Sequence, residues 1–173
     1  MLFRSELTGL WLANGECIPS LKELLETAKR KTSLKLVLEL KAHSKPEREI
    51  KAVEEIVSMI KKMGLEPRMI YITFSSHALK ELIRQAPTST PVYYLKGDLS
   101  PQQLKELGSA GPDYHFSEFY RYTDWIESCH ALGLKVNVWT VNKKEDMQYF
   151  WDKVDFITTD EPLGLLKDIM KVK

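Results

Sequence analysis

The sequence lacks the residues and runs that mark several classes of protein. It contains two cysteines, Cys17 and Cys129, in unrelated contexts and without a Cys-x-x-Cys pair or a Cys/His cluster. This argues against a zinc fold or a disulfide framework, and we predict that both thiols are free. No G-x-G-x-x-G, Walker or G-x-S-x-G motif occurs, which disfavours a nucleotide-binding open sheet and a serine hydrolase.

Long apolar runs and a dominant sign of charge are also absent. No stretch of about 18 apolar residues is present, so we predict no membrane-spanning helix. Lys and Arg number 25 against 24 Asp and Glu, a net charge of +1, so no field favours nucleic acid or an acidic membrane. Arg4 and Glu6 interrupt any apolar signal-peptide core near the N-terminus, and a cytoplasmic location is therefore expected.

What the chain does contain is a regular alternation of short apolar runs and segments with helical periodicity. Its 173 residues are 43% hydrophobic, which predicts one domain over residues 1–173. Strands are predicted at 34–40, 69–74, 91–95, 113–116, 134–141 and 154–158. Helices are predicted from Ser20 onward and at 46–63, 76–85, 100–107, 123–132, 143–151 and 162–172, with residues 1–17 and 108–122 as the longest irregular stretches.

This alternation predicts an α/β fold with a parallel sheet and helices outside it. A doubly wound open sheet and a closed barrel both satisfy the pattern, and the missing nucleotide motifs weaken the first. A complete eight-stranded barrel needs roughly 200 residues or more. If the chain is a barrel, it is therefore an incomplete, distorted (β/α)8 TIM-type barrel that lacks its first strands.

The pair Glu39 and Lys41 ends the first predicted strand. Side chains two residues apart share one face of a strand, so both should point the same way while Leu40 points away. At the carboxyl end of a parallel strand, this pair suits an anionic substrate together with a divalent metal. An exposed ion pair without further function is the alternative.

Other candidate residues follow later strands. Trp139 either stacks on a ligand or packs against a helix. Asp160 either caps the final helix or binds a metal, and capping is the simpler interpretation. His43 and His115 lie near the predicted ends of strands, and the sequence leaves their roles open.

Four segments in order are similar to motifs of the glycerophosphodiester phosphodiesterase family. The family's Ile-Pro-Thr-Leu, Glu-x-Lys, Trp-Thr-Val-Asn and Thr-Asp-x-Pro motifs have counterparts here, and its Ser-Phe strand end is present in altered form at Phe74-Ser75. The counterparts are Ile18-Pro19-Ser20-Leu21, Glu39-Leu40-Lys41, Trp139-Thr140-Val141-Asn142 and Thr159-Asp160-Glu161-Pro162.

The resemblance implies a distorted TIM barrel that hydrolyses glycerophosphodiesters with the help of a divalent metal, Ca²⁺ or Mg²⁺, and two histidines. Carried over by position, Glu39 would be a metal ligand and Lys41 would contact the phosphate or stabilise developing charge. Trp139 and Phe74 would line the glycerol side of the pocket. The substrate would be a small-molecule glycerophosphodiester.

The resemblance covers only the C-terminal part of the family's pattern. The His-Arg-Gly, Glu-x-Asp and His-Asp segments that carry the acid–base histidines and most metal ligands have no counterpart in this sequence. The chain by itself is therefore predicted to be inactive. The alternative is a non-catalytic binding or assembly module that self-associates through an uncovered edge of the sheet.

Overall fold

The computed structural model describes residues 10–164 and Lys167. The helices are α1 (Leu21–Lys31), α2 (Pro46–Met63), α3 (Ser76–Gln85), α4 (Pro101–Leu107), α5 (Phe116–Arg121), α6 (Trp125–Ala131) and α7 (Lys144–Phe150). The strands are β1 (Leu36–Leu40), β2 (Met69–Thr73), β3 (Val92–Tyr94), β4 (Gly111–His115), β5 (Asn137–Trp139) and β6 (Phe156–Ile157).

The strands form one six-stranded sheet in the order β1-β2-β3-β4-β5-β6, and all pairings are parallel. The sheet is curled, as shown by side chains from strands that are not neighbours, which meet across its inner face. The rings of Tyr93 on β3 and Phe156 on β6 are 6.4 Å apart between centroids, with an edge-to-face geometry. The predicted parallel α/β architecture is confirmed, and the curled sheet corresponds to part of a barrel.

Local signals in the sequence explain where several helices begin and end. Ser20 caps α1 through a capping box with Glu23, as the spacing predicts. Ser100 caps α4 in the same way with Gln103, and Pro101 occupies the first helical turn. Gly64 ends α2 with a φ of 65°, a left-handed conformation that glycine adopts without steric cost.

The two faces of the sheet have different environments. Residues that alternate along the strands point outward into the core beneath the helices, including Leu40, Tyr71, Tyr94, Tyr114 and Val138. Their neighbours in sequence point to the inner face, which is only partly covered: Val37 is 59% exposed and Phe156 48%. The helices therefore cover one face of the sheet, and the inner face remains available for a pocket.

The region 108–122 differs from the predicted irregular stretch. Strand β4 begins earlier, at Gly111, and α5 follows it directly at Phe116. His115 caps this short helix by accepting a hydrogen bond from the Ser117 backbone N–H. Six residues are too few to show helical periodicity, so the pattern did not reveal α5.

The prediction of free thiols is confirmed, and two other predictions lie partly or wholly outside the described residues. Both cysteines are free, with Cys17 exposed and Cys129 buried. No described helix has the length and apolar character needed to cross a membrane. Of the predicted closing helix 162–172, residues 162–164 and Lys167 are helical and the rest lies outside the described part. The segment that contains Arg4 and Glu6 also lies outside it.

Candidate functional site

A cavity of about 350 Å³ opens on the inner face at the carboxyl ends of the strands. The four residues assigned to the site by the family resemblance, Glu39, Lys41, Phe74 and Trp139, all line this cavity, although they are spread over about a hundred positions of the chain. The lining residues are Glu39, Lys41, Ile72, Phe74, Leu95, Asp113, Trp139, Thr140 and Thr158. The carboxyl end of the sheet is where parallel α/β folds bind their ligands.

Glu39 and Lys41 point to the same side of β1, as their spacing predicts. The Lys41 ammonium lies 2.7 Å from the Glu39 Oε1 atom, while the Leu40 side chain is buried under the helices. The Lys41 side chain is 77% exposed and the Glu39 side chain 27%. Glu39 Oε1 itself is inaccessible to solvent and lacks any partner with hydrogen-bond geometry in the described structure. The pair therefore presents an exposed cation beside a partly buried carboxylate.

Aromatic rings form one wall of the cavity around Trp139. Its indole N–H donates a 2.8 Å hydrogen bond to the backbone carbonyl of Asp113, which holds the ring in place. Phe74 and His115 contact the indole edge-to-face, with centroids 5.8 Å and 5.1 Å away. Trp139 thus lines the cavity rather than packing under a helix, while His115 contacts the indole and is not among the lining residues.

Asp113 is a site residue that the sequence analysis missed. It is 3% exposed and accepts a 2.6 Å hydrogen bond at Oδ1 from the Asn137 side-chain amide, which also contacts Thr158. Burial raises the pKa of Asp113 from 3.8 to about 7, the Asn137 hydrogen bond opposes that rise, and the nearby Glu39 charge adds to it. A carboxyl with such a pKa in a cleft is a candidate functional group.

A second buried carboxylate, Glu49, holds the loops on which the site depends. Its Oε1 accepts from the His43 backbone N–H, and its Oε2 accepts from the Ser75 hydroxyl and contacts His77 Nδ1 at 2.9 Å. Burial pushes the pKa of Glu49 up, but the hydrogen bonds from these three residues outweigh it and lower the pKa. This cluster ties the loop after Lys41 to the start of α3, where Ser75 caps the helix by accepting a hydrogen bond from the Ala78 backbone N–H.

Asp160 and Thr159 lie at the end of β6 and bond to Asn142 rather than to the cavity residues. The Asn142 amide donates to Asp160 Oδ2 at 2.8 Å, and Asn142 Oδ1 accepts from the Thr159 hydroxyl at 3.0 Å. Thr159 Oγ1 also accepts from the Glu161 backbone N–H, just before the helical residue Pro162. These contacts support the structural interpretation of the Thr-Asp-x-Pro segment over a metal role.

The carboxylates near the cavity do not by themselves make a metal site. Within residues 10–164 and Lys167, no group of three or more His, Cys, Asp or Glu side chains is placed to hold a metal ion. Ca²⁺ and Mg²⁺ prefer several oxygen ligands. Glu39 offers one such oxygen, so the divalent metal remains a prediction from the family resemblance.

Comparison with known proteins gives consistent matches. Residues 4–163 match the model of the glycerophosphoryl diester phosphodiesterase family. A glycerophosphodiester phosphodiesterase from Caldanaerobacter subterraneus subsp. tengcongensis is 30% identical over 162 residues, which cover 91% of this chain and 64% of that protein. The chain therefore spans less than two thirds of the length of this curated relative.

Solved structures agree with the sequence matches. A glycerophosphodiester phosphodiesterase from Parabacteroides distasonis superposes with a TM-score of 0.94 at 42% identity, covering 99% of this chain and 72% of that one. A phosphodiesterase from Oleispira antarctica, solved with the product sn-glycerol-3-phosphate, superposes with a TM-score of 0.66 at 20% identity, covering 89% and 62%. This second likeness is one of fold alone.

Proposed function

The chain belongs to the glycerophosphoryl diester phosphodiesterase family, and on this premise we propose that its cavity binds the glycerol phosphate part of a glycerophosphodiester. The observation that carries the proposal is the convergence of Glu39, Lys41, Phe74 and Trp139 on a single cavity. The match to a fold that holds sn-glycerol-3-phosphate in the Oleispira antarctica structure supports the same ligand class.

Each residue of the cavity has a proposed task that suits its chemistry. The Lys41 ammonium is exposed at the rim and serves as a point charge for the phosphate. Trp139 and Phe74 offer apolar faces to the carbon skeleton of the glycerol. Glu39 would supply one oxygen to the divalent metal, Ca²⁺ or Mg²⁺, which would stabilise charge on the phosphate when bound.

Hydrolysis by this chain alone is not part of the proposal. The family's acid–base histidine segments have no counterpart in the sequence, and general acid–base catalysis contributes about 10²–10⁴-fold to such reactions. We therefore propose a binding site without measurable turnover of its own. Purified chain incubated with glycerophosphocholine and Ca²⁺ or Mg²⁺ should release no glycerol 3-phosphate above background, and robust metal-dependent turnover would contradict this part of the proposal.

Replacing Lys41 with alanine should weaken the binding of glycerol 3-phosphate by about tenfold, because the phosphate loses its ammonium partner. Isothermal titration calorimetry on the wild type and the variant measures the change. Lys51→Ala is the matched control: its side chain is also 77% exposed and pairs with a glutamate, but it lies on α2.

The two lysine variants separate a specific site from general charge effects. Equal affinity losses for Lys41→Ala and Lys51→Ala would show that the protein attracts phosphate only through its overall charge. No detectable binding of glycerol 3-phosphate to the wild type, with or without Ca²⁺ or Mg²⁺, would overturn the proposed function.

A second candidate function, an assembly module, is favoured by the exposed apolar side chains on and beside the terminal strands. Leu34 is 71% exposed, Val37 on β1 59% and Phe156 on β6 48%. Among the described residues, no strand pairs with the outer edge of β1 or β6. An uncovered apolar edge favours pairing with another chain.

If this edge mediates assembly, the protein should self-associate as its concentration rises, and Val37→Lys should restore the monomer because a charge on β1 opposes strand pairing. Multi-angle light scattering over a concentration series measures the mass. Leu24→Lys, which changes a leucine on α1 that is 55% exposed, is the matched control. A wild type that remains monomeric at the highest concentration would exclude this second function.

A further inference from the structure

Two carboxyl groups, those of Glu39 and Asp113, line the cavity. They come from β1 and β4, and Asn137 on β5, which is not among the lining residues, donates to Asp113 Oδ1. Asn137 Oδ1 is inaccessible to solvent and lacks a hydrogen-bond partner among the described residues, whereas Glu39 Oε1, also inaccessible, has the Lys41 ammonium 2.7 Å away. Because buried polar atoms in folded proteins are nearly always paired, a buried acceptor that lines a cavity favours a ligand with a hydrogen-bond donor.

Asp113 is the best placed of these groups to meet a ligand. Its side chain is 3% exposed, and it is one of the residues that line the cavity. The amide of Asn137 occupies its Oδ1, and within the described residues no partner is assigned to its second oxygen. That oxygen therefore remains available for a donor that enters from the cavity.

Two residues of β5 hold Asp113 in its orientation through hydrogen bonds. Asn137 lies opposite it in the register of β4 and β5 and donates to its carboxyl group. Trp139, two residues further along β5, donates to its backbone carbonyl. The carboxyl is thus held in place before a ligand arrives, which lowers the entropy that binding must cost.

We propose that Asp113 is a specificity-determining residue whose carboxyl group binds a hydroxyl group of the glycerol part of the ligand. This inference rests on the proposed function and adds to it the recognition of the alcohol. Lys41 at the rim contacts the phosphate, and Asp113 at the floor accepts a hydrogen bond from a hydroxyl group. A ligand of the same length that lacks hydroxyl groups would leave this buried acceptor unpaired and would bind less tightly.

The test compares two ligands that share a phosphate but differ in hydroxyl groups, glycerol 3-phosphate and n-propyl phosphate. The wild type should bind glycerol 3-phosphate about tenfold more tightly, the value of one good hydrogen bond to a carboxyl group. Asp113→Leu, which keeps the branched shape but removes both oxygens, should abolish this preference, because propyl phosphate then leaves no buried acceptor unpaired. Calorimetric titration of both ligands gives the two affinities and their ratio.

Control variants make the result specific to Asp113. Asp113→Asn preserves the shape and the contact with Asn137 but replaces a charged acceptor with a neutral amide, whose hydrogen bond to a hydroxyl is weaker. In titrations at pH 8 the preference should therefore fall severalfold, even if the leucine variant does not fold. Glu81→Gln removes a carboxylate from the outer surface of α3, where it pairs with Arg84, and should leave both affinities unchanged. Lys41→Ala should lower the affinity for both ligands by the same factor.

The outcomes distinguish this inference from the proposed function. If the wild type binds both ligands with equal affinity, or the Asp113 variants retain the preference, Asp113 does not determine specificity while phosphate binding stands. If the wild type binds neither ligand, the proposed function fails, and the role of Asp113 fails with it.

Discussion

Raising the pH from about 4 to about 8 should lower the free energy of unfolding by up to about 4 kcal/mol through the side chain of Asp113 alone. Burial raises the pKa of this carboxyl group from 3.8 to about 7 in the folded protein. Between these two values the folded state holds a proton that the unfolded chain has released. Stability therefore falls as the pH rises through this window, and the loss is complete above the folded-state pKa.

The direction of this effect separates Asp113 from other carboxyl groups of the protein. For Glu49 and Asp155, burial pushes the pKa up, but hydrogen bonds outweigh it and lower the pKa. Their contributions to stability are present at neutral pH and disappear only as the solution becomes acidic. Glu39, whose charge adds to the raised pKa of Asp113, and Lys41, which pairs with Glu39, are the charged groups of the same cavity.

Urea unfolding at a series of pH values measures the effect, with Asp113→Asn as the comparison. The asparagine is neutral at every pH and keeps the shape and the contact with Asn137. The variant should be about as stable as the wild type near pH 4 and more stable near pH 8. Parallel stability profiles for the two proteins would show that the buried carboxyl group does not titrate as its environment requires.

Replacing Gly111 with alanine should destabilise the protein by on the order of 4 kcal/mol and lower its Tm by roughly 10 °C or more. Gly111 opens β4 with a φ of 148°, a conformation that residues with a side chain rarely adopt. A Cβ atom at this position would lie 1.9 Å from the backbone carbonyl oxygen of Lys135. Backbone cannot rotate away as a side chain can, so β4 and the segment before β5 would have to separate.

Gly133→Ala is the matched control for this substitution. Gly133 also has a positive φ, 73°, but a Cβ there would have no atom within 4 Å. Its replacement should cost only the backbone strain, about 1 kcal/mol. Differential scanning calorimetry of both variants compares the loss of Tm caused by backbone strain alone with the loss caused by strain together with a steric clash. Equal losses of Tm would show that the close approach of Lys135 is not what requires glycine at position 111.

Much of the fold was predictable because its signals are local. The alternation of short apolar runs with helical stripes determines the order of strands and helices, and the capping box at Ser20 marks the start of a helix. The two-residue spacing of Glu39 and Lys41 places both side chains on one face. The helix Phe116–Arg121 was missed because its few residues show no period of their own.

The site residues likewise fall into those that the sequence indicated and those that it did not. By themselves, the residues around Trp139 allowed either stacking on a ligand or packing under a helix, and the family motifs favoured the first. The indole in fact lines the cavity, where its N–H donates to the Asp113 carbonyl. No local signal pointed to Asp113, because its partner Asn137 lies 24 positions away and belongs to another strand.

The sequence by itself determined the family, the parallel α/β pattern and the side of β1 on which Glu39 and Lys41 point. All of these follow from neighbours along the chain, whose relation the backbone geometry sets. Only the tertiary structure decided that Asp113 is buried beside Asn137 and that Glu49 joins two loops. Burial and the pKa of a carboxyl group depend on which distant residues the curled sheet brings together, and strand register, which sequence spacing does not encode, controls that choice.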